Sequence, residues 1–529
     1  MLKAVNISKI YGKRVLFDKV SHSFDIGKRY GLIGANGAGK TTLLKILSGL
    51  MEQTDGEVQI QPGLKLGVLG QNQYAFEDYT LSDAVLYGNK KLFDANKEKE
   101  KLYMEGDFED DAVNNRLAEL EIICAEEDPT YECDVRIEKL LTALGFAVET
   151  HTNLMSSLTS SDKFKILLAQ VLFPKPDILL LDEPTNNLDM ETISWLEYEL
   201  KRHTGTLVVI SHDRHFLNSV VTHILDLDFG KLREFTGNYD DWYIASTIIA
   251  KQHEADRNKK LKEKDELEKF VARFSANASK AKQATSRQKR LDKLDIGAIK
   301  ISSRRDPSIL FKSCRDIGAE VFECEDLAHS YDGKTVFEDF TFKIDKGDKI
   351  ALIGANGVGK STLLEIMMEK IKNKKGTFKW GQTIHLTYFP QNTTDHVDGD
   401  MKVYDWIQGF SREWHIDEIR KALGRMLFKG EEQEKAVSAL SGGEKHRLML
   451  SKMMMDDANF LILDEPDNHL DLEAIIALGE ALNQYDGNVI LVSHDRELID
   501  AYANRIIEIK DGKIIDFKGG YEEYRESQV

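Results

Sequence analysis

Residues 34–42 read GANGAGKTT, and the rest of the chain is organised around this motif. Their spacing fits G-x-x-x-x-G-K-[ST], between a strand-like apolar run and a helix-like one. Backbone amides of such a loop cradle phosphates, its lysine reaches the β and γ phosphates, and its hydroxyl completes the shell of a nucleotide-bound Mg²⁺. The pattern returns at 354–362 as GANGVGKST. We therefore expect two nucleotide sites, formed by Gly34, Asn36, Gly37, Gly39, Lys40, Thr41 and Thr42 and by Gly354, Asn356, Gly357, Gly359, Lys360, Ser361 and Thr362.

Length and composition indicate a globular protein of two or more domains. The chain has 529 residues, of which 42% are hydrophobic and 30% charged. It contains no apolar run of the roughly 18 residues that span a bilayer and no signal-peptide pattern, so we expect a cytoplasmic protein without a membrane domain. Four widely spaced cysteines favour reduced thiols over a disulfide framework or metal cluster.

The two halves of the chain are copies of one domain. Lys40 and Lys360 are 320 residues apart, whereas Asp182 and Asp464 are 282 apart. The first half therefore carries 320 − 282 = 38 extra residues, which we place in a helical arm at about 88–129. Short apolar runs at 178–181, 208–210, 460–463 and 489–492 are typical of parallel strands buried on both faces. The expected fold is α/β, with domains at 1–240 and 313–529 joined by a linker at 241–312.

The linker differs in charge from the rest of the protein. Residues 251–306 hold 17 Lys and Arg against 9 Asp and Glu, net +8, in a chain of net charge −18. A thin apolar stripe predicts one long helix at 239–274, a break at 275–279 and a second helix at 280–300. The tip, 280–293, carries six basic residues and one acid. Such basic runs are often only the solvated face of a helix. At the end of a projection, however, this run favours binding to the phosphate backbone of a nucleic acid.

Each half also has the polar residues that a nucleotide hydrolase needs. Asp182 and Asp464 end buried strands and are expected to hold Mg²⁺, while the adjacent Glu183 and Glu465 orient or deprotonate the attacking water. A helix cap is the alternative for each pair. Three further residue pairs occur at equivalent positions of the two halves. His212 and His494 are candidates to contact the γ-phosphate, and Gln71 and Gln391 to bind Mg²⁺ or position water. Tyr11 and Tyr331 are candidates to stack on adenine, although either tyrosine could be a core residue.

A third motif, LSGGE at 440–444, starts a predicted helix. The Ser441 hydroxyl, the bare amides of Gly442 and Gly443, and the positive end of the helix dipole make an anion-binding end, with Glu444 next to it. A simple helix cap would not explain two glycines where alanine is more stable.

With these motifs in both halves, the chain resembles the ATP-binding cassette superfamily. The resemblance implies that the cassettes pair head to tail, with each ATP between the phosphate loop of one and the signature motif of the other. The first signature departs from the pattern: residues 158–162 read LTSSD, without glycines. Asp467 also stands where its counterpart is Thr185. We therefore hypothesise that the site of Lys40 and Glu183 turns over faster than the site of Lys360 and Glu465.

Several features resemble the ABC-F family. They are the arm, the long basic linker, and the paired ends F-x-G-N-Y at 235–239 and F-x-G-G-Y at 517–521. The degenerate first signature, the short tail after Gly520 and the linker segment 273–287 resemble the YbiT-type subgroup of that family. The resemblance implies a monomeric ATP hydrolase that ATP closes into a state bound at the ribosomal tRNA exit site. Linker 251–306 and arm 88–129 would contact rRNA and the P-site tRNA, and hydrolysis would release the protein.

Other readings remain at this point. A transporter energy subunit would share the ATP sites but has no use for a basic linker. The ribosome-recycling ABC-E class is expected to carry a cysteine-rich N-terminal cluster domain. The arm could be a solvated helical hairpin without a partner.

Overall fold

A computed structural model describes residues 1–529 except 13, 71, 73, 106–109, 187, 275–285, 287, 290, 292–305, 314, 332–333, 412, 511 and 529. Gln71, the predicted break at 275–279 and most of the second linker helix with its basic tip therefore lie outside the described residues. Among the residues that are described, no helix is both long and apolar enough to cross a bilayer.

The first unit combines two sheets with helices. Its strands are β1 (Leu2–Tyr11), β2 (Arg14–Phe24), β3 (Arg29–Ile33), β4 (Asp55–Ile60), β5 (Leu66–Val68), β6 (Ile178–Asp182), β7 (Thr206–Ile210), β8 (His223–Asp228) and β9 (Lys231–Thr236). Its helices are α1 (Lys40–Leu47), α2 (Leu81–Leu86), α3 (Lys90–Glu105), α4 (Asp111–Glu127), α5 (Cys133–Ala143), α6 (Ser160–Leu172), α7 (Met190–Arg202) and α8 (Arg214–Val220). The linker helix α9 (Tyr239–Phe274) follows.

The second unit repeats this plan without the arm. Its strands are β10 (Phe322–Tyr331), β11 (Lys334–Ile344), β12 (Lys349–Ile353), β13 (Lys375–Trp380), β14 (Leu386–Phe389), β15 (Phe460–Asp464), β16 (Asn488–Val492), β17 (Arg505–Lys510) and β18 (Lys513–Lys518). Its helices are α10 (Lys360–Met367), α11 (Val403–Gln408), α12 (Ile416–Arg425), α13 (Gly442–Met455), α14 (Leu472–Gln484), α15 (Arg496–Tyr502) and α16 (Tyr521–Ser527).

The predicted α/β class is confirmed by the sheet topology. A parallel-rich sheet runs β5-β6-β7-β3-β8-β9 in the first unit and β14-β15-β16-β12-β17-β18 in the second. A smaller antiparallel sheet lies beside each, in the orders β2-β1-β4 and β11-β10-β13. The antiparallel pair β8–β9, like β17–β18, closes one edge of the larger sheet.

The larger sheet is buried on both faces, as the continuous apolar runs predicted. Along β6, Ile178 and Leu180 pack in the cluster between the two sheets, whereas Leu179 and Leu181 pack against the helices on the other face. All four side chains are at most 1% exposed. Burial of each such side chain contributes about 1.5–3 kcal/mol, so the strands are fixed firmly and the loops at their carboxyl ends are held in place.

The arm is a helical hairpin made of α3 and α4. Leu92, Phe93, Leu120 and Cys124 pack in one cluster with α2, α5 and α6. On the outer side, Arg116 forms a bidentate pair with Glu98 at 2.7 and 2.8 Å. The arm is thus anchored in the first unit at its base, and an exposed ion pair joins its two helices on the outer side.

Candidate active sites

Each phosphate loop connects the central strand of the parallel-rich sheet to a helix. β3 leads to α1 and β12 leads to α10, with Gly39 and Gly359 as the residues before the helices. Both glycines have left-handed φ angles, 102° and 103°. A Cβ atom would lie 2.7 Å from Leu16 at Gly39 and 2.3 Å from Val336 at Gly359, so only glycine fits there.

The loop lysines point back over their own loops. Lys40 Nζ donates to the Gly34 carbonyl at 2.8 Å, and Lys360 Nζ donates to the Gly354 and Ala355 carbonyls at 2.7 and 3.0 Å. Both lysines are buried. Burial lowers the pKa of Lys360, whereas the nearby Glu465 and Asp464 oppose that change. A phosphate in the loop would supply the acceptors that these carbonyls now provide.

The strand-end carboxylates lie beside the loop hydroxyls, as a magnesium shell requires. Thr41 Oγ1 donates to Asp182 Oδ1 at 3.3 Å. The Asp464 carboxylate is completely buried, and neither oxygen has a hydrogen bond of normal geometry among the described residues. Burial, followed by repulsion from Glu465, raises its pKa to about 7, although the Ser361 hydroxyl opposes that rise. These oxygens therefore fit Mg²⁺ shared with nucleotide phosphates.

The two candidate general bases have different partners. Glu183 Oε1 lies 3.3 Å from His212 Nε2, and Glu183 Oε2 accepts the His212 amide at 3.2 Å. Glu465 Oε2 instead accepts from Asn468 Nδ2 at 2.8 Å. Burial raises the pKa of Glu183 to about 7 and lowers that of His212 to about 3. The first site thus holds a neutral imidazole against a carboxyl suited to proton transfer near neutral pH.

A large cavity marks the second site. It measures about 530 Å³ and lies between the two units. Its lining includes, from the second unit, Tyr331, Asn356, Gly357, Gly359, Lys360, Ser361, Thr362, Gln391, Glu465 and His494. His494 is partly buried, which lowers its pKa to about 4, and its Nε2 has no hydrogen-bond partner among the described residues. From the first unit come Thr159, Ser160, Ser161 and Asp162, the degenerate signature.

One hydrogen bond joins the degenerate signature directly to the opposite phosphate loop. Asn356 Nδ2 donates to Ser161 Oγ at 2.8 Å. Ser161 lies in the first turn of α6, whose N-cap is Thr159. The serine hydroxyl therefore contacts the loop at a position where a glycine would leave only its backbone amide.

The intact signature faces the first phosphate loop in the same manner. Ser441 caps α13, with a reciprocal capping box to Glu444. A Cβ atom at Gly443 would lie 3.7 Å from Asn36 Nδ2 and 2.7 Å from the His469 carbonyl oxygen. Gly442 is less confined, since its Cβ would be 3.8 Å from the His469 ring. The structure thus brings each phosphate loop to the signature of the other unit.

The remaining predicted site residues differ in how exposed they are and in whether they line a cavity. Tyr11 is 50% exposed and Tyr331 is 48% exposed, so neither is a core residue. Lys9 lies over the Tyr11 ring, and His329 packs edge-on against Tyr331. Gly34, Gly37 and Thr42 lie in the first loop and helix, and Gly34 lines a small cavity with Lys40 and His212. Gln71 lies outside the described residues, whereas Gln391 lines the large cavity.

The structure adds residues that the motifs did not single out. Asp213, which is partly buried, and Asp495, which is buried, are the N-caps of α8 and α15. The two carboxylates face each other across the interface, and desolvation raises both pKa values. Arg214 and Arg496, which follow them, make contacts across the interface. The S-H-D-R tetrapeptide occurs in both halves, and that repetition is the signal that could have marked these arginines.

Comparison with known proteins identifies relatives of this chain. A family model described as ABC transporter matches residues 17–186 and 337–468, and a second model of that description matches 225–311. The chain is 43% identical to the Escherichia coli O157:H7 protein titled "Probable ATP-binding protein YbiT", over 100% of this chain and 99% of that one. It is 36% identical to ABC transporter F family member 2 of Arabidopsis thaliana, over 99% and 78%.

A third relative and a solved structure complete the comparison. The energy-dependent translational throttle protein EttA of Escherichia coli K12 is 34% identical over 97% of this chain and 93% of its own length. The archaeal ribosome recycling factor aABCE1, solved with the stalk protein aP1, aligns with a TM-score of 0.62 at 16% identity, over 99% and 92% of the two chains, and supports the fold. With tandem cassettes, the paired sites and these relatives in agreement, the chain belongs to the ABC-F family of ATP-binding cassette proteins and is an ATP hydrolase.

Proposed function

We propose that this protein is a cytoplasmic, monomeric ATPase that associates with the ribosome, and that ATP closes its two cassettes into the ribosome-bound state. The observation that carries the proposal is the reciprocal pairing of each phosphate loop with the opposite signature, through Asn356 and Ser161 on one side and Asn36 and Gly443 on the other. Since ATP fits between those elements, its binding favours closure and its hydrolysis removes that support. The relative EttA is titled a translational throttle protein.

The site residues divide the chemistry as follows. Lys40 and Lys360 hold the β and γ phosphates, with Tyr11 and Tyr331 against adenine. Thr41, Asp182, Ser361, Asp464 and the two glutamines, Gln71 and Gln391, hold Mg²⁺, which neutralises phosphate charge when bound. Glu183 and Glu465 orient or deprotonate water, and His212 and His494 donate to the γ-phosphate. Ser441 to Glu444 closes the first site.

The linker supplies the RNA-binding surface in this proposal. Its described helix α9 is 36 residues long, or about 54 Å at 1.5 Å per residue. Residues 251–306 carry a net charge of +8. Residues 239–274 hold 8 Lys and Arg against 8 Asp and Glu, so the excess of positive charge lies in 275–306, which follow α9. A projection of this length with a basic tip would reach from the cassettes at the tRNA exit site toward the peptidyl-tRNA, where phosphate contacts dominate affinity.

The arm is proposed as a second ribosome contact of a different kind. Residues 88–129 contain 6 Lys and Arg against 13 Asp and Glu, net 6 − 13 = −7. The resemblance implied that the arm contacts rRNA and the P-site tRNA, but so acidic a surface is repelled by an RNA backbone. We therefore propose a basic ribosomal protein as the partner of the arm instead. The arm and the linker would then hold the ribosome through opposite charges.

Co-sedimentation tests the proposal. Glu183→Gln/Glu465→Gln protein with ATP is expected to pellet with ribosomes and not with lipid vesicles, because the closed state then persists. The same variant with ADP, and a Lys40→Ala/Lys360→Ala protein with ATP, serve as controls and should stay in the supernatant. ATP-dependent association with membranes instead of ribosomes would favour the transporter alternative.

A further inference from the structure

The root of the linker helix lies at the cassette interface and beside the first nucleotide site. Tyr239 and Trp242, in its first turn, are 2% and 4% exposed and share a cluster with Leu472 of the second cassette. Tyr239 also lines the small cavity that contains Lys40 and His212. A change in the packing of the cassette interface would therefore alter the surroundings of the first turn of α9.

Helix α8 contacts the first turn of α9, which we call its root, through Asp240. Arg214, the first residue of α8, places its Nε 2.8 Å and its Nη2 2.7 Å from Asp240 Oδ1. Asn218, one turn further on, accepts the Asp240 amide at 3.0 Å. α8 itself starts directly after His212 and is capped by Asp213. The helix that follows the candidate γ-phosphate contact thus sets the direction in which α9 leaves the cassette.

The same guanidinium also reaches the second cassette. Arg214 Nη1 lies 3.0 Å from Glu497 Oε2 on α15, and the guanidinium carbon is 6.0 Å from the centre of the Tyr239 ring. A guanidinium has five N–H donors in a planar fork and can serve two carboxylates at once. Glu497 remains a partner only while the cassettes are together, whereas Asp240 belongs to the linker on the same side as Arg214.

We infer that Arg214 is a positioning residue that couples cassette closure to the orientation of the linker helix. In the closed arrangement Glu497 and Asp240 fix the guanidinium from two sides, and α9 is held in one direction. When the cassettes part, Arg214 loses Glu497 and the root of α9 is held less firmly. The inference builds on the proposed function, in which closure directs the linker against RNA.

The chain provides a matched control at the repeated position. Arg496, 282 residues later, also crosses the interface: its Nη2 donates to Ser194 Oγ at 2.5 Å and to the Met190 carbonyl at 3.3 Å. It lies beside Tyr521 of the C-terminal helix α16, the counterpart of Tyr239 at the start of the linker. Loss of Arg496 therefore removes cross-cassette hydrogen bonds that do not involve Asp240 of the linker.

Hydrogen–deuterium exchange on the full chain tests the inference without ribosomes. With a non-hydrolysable ATP analogue in place of ADP, amides at 239–250 should exchange more slowly in the wild type. Arg214→Gln should reduce that nucleotide-dependent slowing about two- to five-fold, the range expected for half-exposed ion pairs. Asp240→Asn and Glu497→Gln should act in the same direction and add nothing to Arg214→Gln, while Arg496→Gln should leave it unchanged.

Unchanged slowing in Arg214→Gln, or equal loss in Arg496→Gln, would overturn the inference. The two partner variants keep the test valid if Arg214→Gln lowers the unfolding temperature. Because no ribosome is present, failure here is distinct from failure of the co-sedimentation experiment.

Discussion

At the level of single residues, the two ATP sites share the backbone geometry of their candidate general bases but differ in the residues that contact those bases and in the opposing signature motifs. Glu183 and Glu465 both have left-handed backbones, with φ of 50° and 49°, so both side chains leave their strands in the same strained geometry. Glu183 nevertheless meets His212, and Glu465 meets Asn468. The opposing signatures differ as well, with glycines facing the first site and serines facing the second.

Glu183→Gln should reduce steady-state ATP hydrolysis more than Glu465→Gln. The first site has the intact signature and the carboxyl–imidazole pair, so we expect at least a ten-fold loss from Glu183→Gln and a loss below three-fold from Glu465→Gln, general bases being worth about 10²–10⁴ where they act. Initial rates of phosphate release, with nucleotide occupancy matched, give the comparison. A larger loss from Glu465→Gln would reverse the assignment.

Replacing Ser160 and Ser161 by glycine should raise turnover at the second site. The double change removes the Ser161 Oγ contact with Asn356 and opens space for backbone amides to approach phosphate. Measured in the Glu183→Gln background, which isolates that site, the residual ATPase rate should rise several-fold. Gly443→Ser in the Glu465→Gln background is the mirror control and should fall, because its Cβ would meet the His469 oxygen at 2.7 Å. A rate that does not rise would show that the serines are not what limits the second site.

The contacts between the two cassettes show which features of the sites could not be predicted from the sequence. Repetition at offsets of 320 and 282 was enough to pick out the lysines, carboxylates and histidines, because each motif is local. The bond between Ser161 and Asn356 joins residues 195 positions apart. No local pattern encodes such a contact, so only the tertiary structure could show it.

At the scale of elements, the sequence was most informative where one pattern runs far along the chain. The linker helix was predicted at 239–274 and is observed at Tyr239–Phe274, with Asp240 and Asp241 in its first turn. The arm was predicted at about 88–129, and its helices are observed at Lys90–Glu105 and Asp111–Glu127. Their ends are set by packing against α2 and α5 as well as by spacing.

One ion network around a buried arginine should determine how firmly the edge of the second sheet is held. Arg505 on β17 is 4% exposed and pairs with Asp348 and Asp516, and it donates to the Lys343 carbonyl at 2.8 Å. Both carboxylates are partly open to solvent, so Arg505→Leu should lower the free energy of unfolding of the second cassette by about 1.5–3 kcal/mol, the cost of losing hydrogen bonds to charged groups. Denaturant titration measures it.

The exposed pair Lys518–Asp345 supplies the control for that experiment. Its atoms are 3.7 Å apart and its side chains are 74% and 53% exposed. Lys518→Ala should therefore cost less than about 1 kcal/mol. Equal effects from both variants would mean that Arg505 does not hold the sheet edge.

At the scale of the whole molecule, charge is separated between the parts. The chain carries −18 overall, the arm is acidic, and the linker is basic. The cassettes meet head to tail in one chain, so the proposed closing motion would move the linker and arm together. The pairing was implied by family resemblance, but which residues make the contact could be seen only in the assembled structure.

Neutralising the linker tip should weaken ribosome association and make it less dependent on salt. We expect Lys280→Gln, Lys282→Gln and Arg287→Gln together to lower the slope of log K against log salt concentration by about 2–3, since each phosphate contact contributes roughly 0.7–0.9. ATP hydrolysis in the absence of ribosomes should be unchanged. Glutamine at Lys346, Lys510 and Lys513, exposed on the second cassette, is the charge-matched control. An identical slope for both triple variants would exclude the tip as an RNA contact.

In the proposed function, ATP-driven closure places the linker against ribosomal RNA and tRNA. An electron-microscopy map of the Glu183→Gln/Glu465→Gln protein with ribosomes and ATP would show whether it does. We expect closed cassettes at the tRNA exit site, with the linker helices directed toward the peptidyl-tRNA. Density for closed cassettes elsewhere on the ribosome, or for a linker directed away from RNA, would contradict this expectation.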